Sequence, residues 1–167
     1  CVGIGAYRAA NGMIFWAQSL GIREIYMDNK TSPQNLTPLN SSKKTFSDLN
    51  MLIQNGSDIT LQSDYVYWND SSLIDGILIE KSLTIDGLGH TIDANDKARI
   101  FNITADNVLL KNINFANGFS SYGHGAIYAQ GCNLTLLNCS FNSNSASYGA
   151  ALSSNGGNAT LFGCSFN

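Results

Sequence analysis

The 167-residue chain carries a net charge of −3 and a pI near 5.1, with 44% hydrophobic but only 13% charged residues, about half the usual charged share. No basic run exceeds Lys43-Lys44, which excludes a binder of phosphate backbones. No apolar stretch approaches the roughly 20 residues that span a bilayer, and no charged segment followed by an apolar one marks an export signal. Asn, Ser, Thr and Gly supply the missing polarity, beside short runs of Val, Ile, Leu and Phe.

Residues 1 to 26 alternate as two strands. Val2, Ile4 and Ala6 share one face, Ile14 and Trp16 another, with Ala10-Asn11-Gly12 as the turn. A lone hairpin is marginal in water, so this one is expected to close a domain lying upstream of Cys1. The last residues, Cys164-Ser-Phe-Asn167, stop within a strand pattern, and the parent protein is expected to be longer at both ends. Residues 27 to 44, rich in Ser, Thr, Asn and Lys with Pro33 and Pro38, read as a linker. Leu49, Leu52 and Ile53 then fall at helical spacing, with Thr45 or Ser47 as N-cap and Asn55-Gly56 as stop.

Beyond Gly56 the chain repeats. Segments beginning at Ser82, Asn107, Asn133 and Asn158 superimpose, spaced 25, 26 and 25 residues apart, and a looser copy at Ile59-Thr-Leu61 precedes Leu83-Thr-Ile85 by 24. Each copy alternates with period 2: Leu83/Ile85, Val108/Leu110, Leu134/Leu136 and Ala159/Leu161 share one face. Gly87, Asn112, Asn138 and Gly163 then mark a corner, since Gly and Asn accept left-handed backbone angles. Ile113/Phe115, Cys139/Phe141 and Cys164/Phe166 follow, and Gly125-Ala-Ile-Tyr128 and Gly149-Ala-Ala-Leu152 mark a third strand. Three short strands in about 25 residues predict one turn of a parallel β-helix. The expected fold is mainly β: a right-handed single-stranded parallel β-helix over residues 45–167 with a capping helix, preceded by the hairpin. Stacked turns about 4.8 Å apart would set like charges against each other, and this accounts for the low charge.

The stretches Gly76–Asp93, Arg99-Ile-Phe-Asn-Ile103, Asn107–Phe115, Gly125–Tyr128 and Asn138-Cys-Ser-Phe141 resemble the right-handed β-helix repeats of methanogen (archaeal) adhesin-like surface proteins and the polymorphic outer-membrane-protein repeat. The resemblance implies a non-enzymatic extracellular or cell-surface protein presenting a β-helical stalk. Its partners would be other cell surfaces or glycans. It implies no cofactor, no nucleic acid, and no membrane contact within these residues. Residues 1–21 are similar to the closing two strands of a CAP (SCP-like) domain. That family's His and Glu cleft residues are absent here, so the similarity carries no CAP activity, and a generic hairpin fits the same residues.

The alternative is a carbohydrate-active β-helix enzyme, a polysaccharide lyase or glycoside hydrolase. Its candidate residues are Asp86, Asp93 and Asp96 with Lys97 and Arg99, since paired carboxylates serve glycoside hydrolysis or calcium-assisted lysis. Yet Asp86 and Asp93-Ala-Asn-Asp96 sit in turn-like sequence, where Asp bonds local backbone. His90 and His124 lie beside glycines, which marks them as solvated loop residues. Tyr65, Tyr67 and Trp68 offer flat faces to sugar rings, or pack beneath the cap. Cys139 and Cys164 are expected to stack as free thiols, and no Cys-x-x-Cys pair points to zinc. Cys132 directly precedes a strand, within reach of a neighbour. Sequons at Asn29, Asn35, Asn69, Asn102, Asn133 and Asn158 arise readily in a chain of this composition.

Overall fold

The computed structural model describes residues 5–9, 12–16 and 43–167, and the chain divides into two compact units, Cys1–Asn40 and Ser41–Asn167. In the first unit, β1 (Gly5–Ala9) and β2 (Gly12–Trp16) pair antiparallel. Gly12, expected in the turn, is instead the first residue of β2, opposite Ala9. Val2, Ile4, Ala10 and Asn11 of the expected turn, and residues 17–42, including most of the expected linker, lie outside the described residues.

The second unit opens with a two-residue strand, β3 (Lys44–Thr45), so Lys44 belongs to a sheet rather than to the linker. Helix α1 (Phe46–Asn55) follows. Thr45 is its N-cap: the Asp48 N–H donates to Thr45 Oγ1 at 3.3 Å, and the Thr45 N–H donates to Asp48 Oδ2 at 2.9 Å. At the other end Lys81 Nζ donates to the Gln54 carbonyl at 2.7 Å, which places a cation at the negative pole of the helix. Such caps contribute about 1 kcal/mol, and a ten-residue helix is marginal alone. Packing decides its position: Phe46, Leu49 and Ile53 are buried, each contributing roughly 1.5–3 kcal/mol. Phe46 meets Tyr67 edge-on at 5.5 Å.

The chain then coils. The first turn holds β4 (Asp58–Thr60), β5 (Tyr65–Val66) and β6 (Ile77–Ile79), the second β7 (Thr84–Asp86), β8 (Thr91–Asp93) and β9 (Phe101–Ile103). The third holds β10 (Val108–Lys111), β11 (Asn114–Ala116), β12 (Phe119–His124) and β13 (Ile127–Gln130). The fourth repeats that order with β14 (Leu134–Leu137), β15 (Ser140–Asn142), β16 (Ser145–Tyr148) and β17 (Leu152–Asn155), and β18 (Ala159–Phe162) and β19 (Ser165–Phe166) begin another. Corresponding strands pair in parallel to give three sheets, β4-β7-β10-β14-β18, β3-β5-β8-β11-β15-β19 and β6-β9-β13-β17. A two-stranded sheet, β12-β16, lies beside them.

Register follows the sequence repeat. Thr84, Leu109, Thr135 and Thr160 are successive partners, reproducing the expected 25, 26 and 25. The loose copy pairs differently: Ile59 faces Ile85, not Leu83. A shift of two residues keeps the same face inward, whereas a shift of one would turn it out.

Inward residues make one continuous core. Leu83, Ile85, Val108, Leu110, Leu134 and Leu136 are buried along the first sheet, Ile113, Phe115, Cys139 and Phe141 along the second. Phe115, Phe141 and Phe166 stack with ring centroids 5.0 Å apart at each step. Asn112, Asn138 and Gly163 turn the corner with φ of 53°, 52° and 65°. Gly87 does not share this conformation; Leu88 takes the positive φ, 49°, instead. Glycine serves there for space, because a Cβ would strike the Asn112 carbonyl oxygen.

Candidate functional site

Two of the sequence-derived acidic candidates, Asp86 and Asp93, are tied into different corners, and Asp96 follows Asp93. Asp86, ending β7, accepts from Asn112 Nδ2 at 3.0 Å and the Leu88 N–H at 3.1 Å, and pairs with Lys111 Nζ at 3.1 Å. The Asn112 amide is the largest of the influences that hold its carboxyl below the usual range, with the Leu88 N–H next. Asp93, ending β8 in a different sheet, accepts from the Asn95 N–H at 2.8 Å and Asn117 Nδ2 at 2.9 Å. Asp96 and Lys97 are exposed in the connection that follows. None of the three carboxylates takes Lys97 or Arg99 as an ion-pair or hydrogen-bonding partner.

Arg99 belongs to another cluster. Its Nε donates to the His124 carbonyl at 3.0 Å and its Nη1 to the Asp75 carbonyl at 2.9 Å. Its guanidinium carbon lies 5.5 Å from the centroid of the Tyr128 ring. Burial lowers its pKa from the ordinary arginine value, and Asp75 works in the opposite sense; guanidinium stays charged regardless. The His124 ring stacks on Tyr128 with centroids 4.0 Å apart and planes 15° from parallel, and Tyr148, one turn on, has its centroid 6.1 Å from His124. His124 therefore is no solvated loop residue, and its Nδ1 is enclosed without a hydrogen-bond partner. The scaffold is β12-β16: Phe119 faces Ser145, but the register shifts after Ser120 so that His124 faces Tyr148.

His90 also departs from the solvated reading, since its Nδ1 lies 3.1 Å from Asp64 Oδ1. Tyr65 and Tyr67 are buried and Trp68 is exposed, so only the last presents a free ring. Cys132, Cys139 and Cys164 are free thiols. Burial pushes Cys139 up to about 11, which suits a core residue rather than a nucleophile. Of the sequon asparagines, Asn102 accepts from Gln130 and Asn133 donates to Asp106, while Asn69 sits in a left-handed turn at φ 47°; Asn29 and Asn35 lie outside the described residues.

An open groove of about 490 Å³ between α1 and β4, lined in part by Met51, Leu52 and Ile59, contains none of the sequence-derived acids. Among the described residues, no three His, Cys, Asp or Glu side chains gather around a potential ion site, and no helix is long and apolar enough to cross a membrane. No family model, no curated protein and no solved structure matches the chain.

Proposed function

We propose that the chain is part of a non-enzymatic, adhesin-like surface protein, whose stacked coils form a right-handed parallel β-helix that presents repeated contacts to cells or glycans. One observation carries this reading: outward positions repeat similar uncharged side chains from turn to turn. Thr91, Asn114, Ser140 and Ser165 form one such column, and Thr84, Thr135 and Thr160 belong to another that Leu109 interrupts. A hydrogen bond runs along the first column, from Ser140 Oγ to Asn114 Oδ1 at 2.6 Å, and in a different column Asn167 Nδ2 donates to Asn142 Oδ1 at 3.0 Å. A surface of this kind gains strength from many weak contacts engaged together. Right-handedness follows from the general preference, about 98%, for right-handed crossovers between parallel strands of one sheet.

The test applies the 167-residue chain to immobilised cells and a glycan array, with an assay for sugar fragments released into solution. Retention without release is expected. Steady release of fragments would support the lyase or hydrolase alternative and refute this reading.

A further inference from the structure

We propose that Arg99, His124, Tyr128 and Tyr148 form a binding site for a uronic-acid glycan, in which aromatic rings stack on sugar faces and the guanidinium meets the sugar carboxylate. The proposal rests on the surface-contact reading above and gives it a location and a ligand class.

Three features of the cluster point to this chemistry. First, the exposed side chains on β12-β16 and beside it are aromatic or hydroxylic: Phe119, Tyr122 and Tyr148 are exposed, with Ser121, Ser145 and Ser147 between them. An aliphatic protein interface would place Leu, Ile or Met in such a patch. Sugars instead offer flat C–H faces edged by hydroxyls, which suit aromatic rings with polar tips. Second, part of the cluster is held in place: the Tyr128 ring is stacked on His124 and lies 5.5 Å from the Arg99 guanidinium carbon, so less ordering remains to be done on binding.

Third, the charge is complementary. Nε and Nη1 of Arg99 are engaged by two backbone carbonyls, whereas Nη2, beside Gly123, takes part in neither bond. A planar, permanently charged donor fixed on two sides is well suited to a carboxylate. Asp75 offsets part of its field from the turn below, so the attraction is local. His124 adds a polar contact. Its Nδ1 is enclosed and unpartnered, which leaves Nε2 as the ring nitrogen that can meet a ligand hydroxyl.

Calorimetry on the full 167-residue chain tests the site, with an oligogalacturonate and its methyl ester as probes. The ester keeps the sugar rings and removes their charge. The acid form is expected to bind about tenfold more tightly than the ester, and that difference should shrink as salt is added. Tyr148→Ala, which removes a ring that is 67% exposed and so leaves the core intact, should weaken binding about tenfold. Arg99→Gln should make acid and ester equivalent. Trp68→Ala removes an exposed ring outside the cluster and should change nothing. Absence of acid-form binding, equal binding of the ester, or an unaffected Tyr148→Ala variant would each overturn the proposal. Adhesion of the unmodified chain to cells is scored alongside: if it persists, the stalk reading survives the loss of this site, and if it fails too, both fall.

Discussion

Asn112 combines two roles that substitution can separate. It turns the corner between β10 and β11 at φ 53°, and its Nδ2 donates to Asp86 one turn earlier. Alanine removes the amide and keeps a Cβ in the left-handed region, which Asn tolerates better than Ala; glycine removes both the amide and the Cβ. The hydrogen bond is worth about 1 kcal/mol, toward the lower part of the range, because Asp86 keeps the Leu88 N–H and Lys111 as partners. Left-handed backbone costs a residue with a Cβ about 1–2 kcal/mol, and glycine gives back roughly 0.5–1 kcal/mol through the entropy of its unfolded state. Asn112→Ala is therefore expected to lose about 1–3 kcal/mol, since Asn112 itself bears part of the left-handed cost, and Asn112→Gly to be more stable than Asn112→Ala by about 1 kcal/mol or a little less. Denaturant unfolding followed by circular dichroism measures the difference, provided the slopes agree. Carboxyl NMR titration supplies the second readout. Both variants lack the amide, so both should raise the Asp86 pKa toward 3.8 by the same amount. Equal stability of the two variants would refute the backbone argument, and an unmoved Asp86 would refute the ladder bond.

Asp64 accepts from the Thr91 N–H at 2.9 Å, the leading cause of a pKa below 3.8, with His90 adding to it. The folded form then binds fewer protons than the unfolded one, so this stabilisation is present above pH 3.8 and is lost as pH falls through the lowered value. Asp64→Asn should reduce stability at neutral pH and flatten the acid limb of a pH–stability curve; an unchanged limb would discount the contact. Cys132 and Cys139 are buried, with pKa values raised by burial, and should resist a thiol reagent at pH 8 until denaturant opens the coil. Rapid native labelling at either position would contradict the packing. Leu137 stands in register beside Lys111, so Leu137→Lys should be less stable than Leu137→Glu by about 0.2–1 kcal/mol, the difference fading in high salt; equal stabilities would show that charges on adjacent turns do not interact.

The parallel stacking was legible because the repeat spacing and the strand register are the same quantity. A residue 25 or 26 positions on lies directly beside its counterpart, so a sequence period translates into contact with no intermediate step. The loose first copy was placed two residues away from its true register, since alternation with period 2 fits either choice. β12 and β16 escaped notice because Phe119-Ser-Ser-Tyr-Gly-His124 has no apolar alternation. A signal existed in Ser121-Tyr-Gly123 and Ser147-Tyr-Gly149, which repeat after 26 residues. Even that signal would align Tyr122 with Tyr148, whereas the irregular register brings His124 there. The Arg99 cluster was hidden for a related reason: its members come from three turns, and the strand slip is what sets His124 opposite Tyr148. Asp86 and Asp93 are close in sequence, and the coil places them at the ends of strands in different sheets.

The charge deficit has a structural counterpart in the ladders. Across the paired strands, no residue faces a like charge on the next turn. Asp58 faces Thr84, and Asp86 has Thr60 on one side and Lys111 on the other. Lys111 has Leu137 beyond it, and Asp93 lies between Val66 and Ala116. Lys111 and Asp86 are the two charged residues that face each other in this register, and they are opposite in sign. Each additional charge in such a coil has to find a neutral or opposite neighbour in two directions at once, a restriction that an isolated strand at a sheet edge does not meet. Uncharged amides and hydroxyls escape it because each can both donate and accept along the column. A cation such as Arg99 is retained where its neighbours are rings and carbonyls.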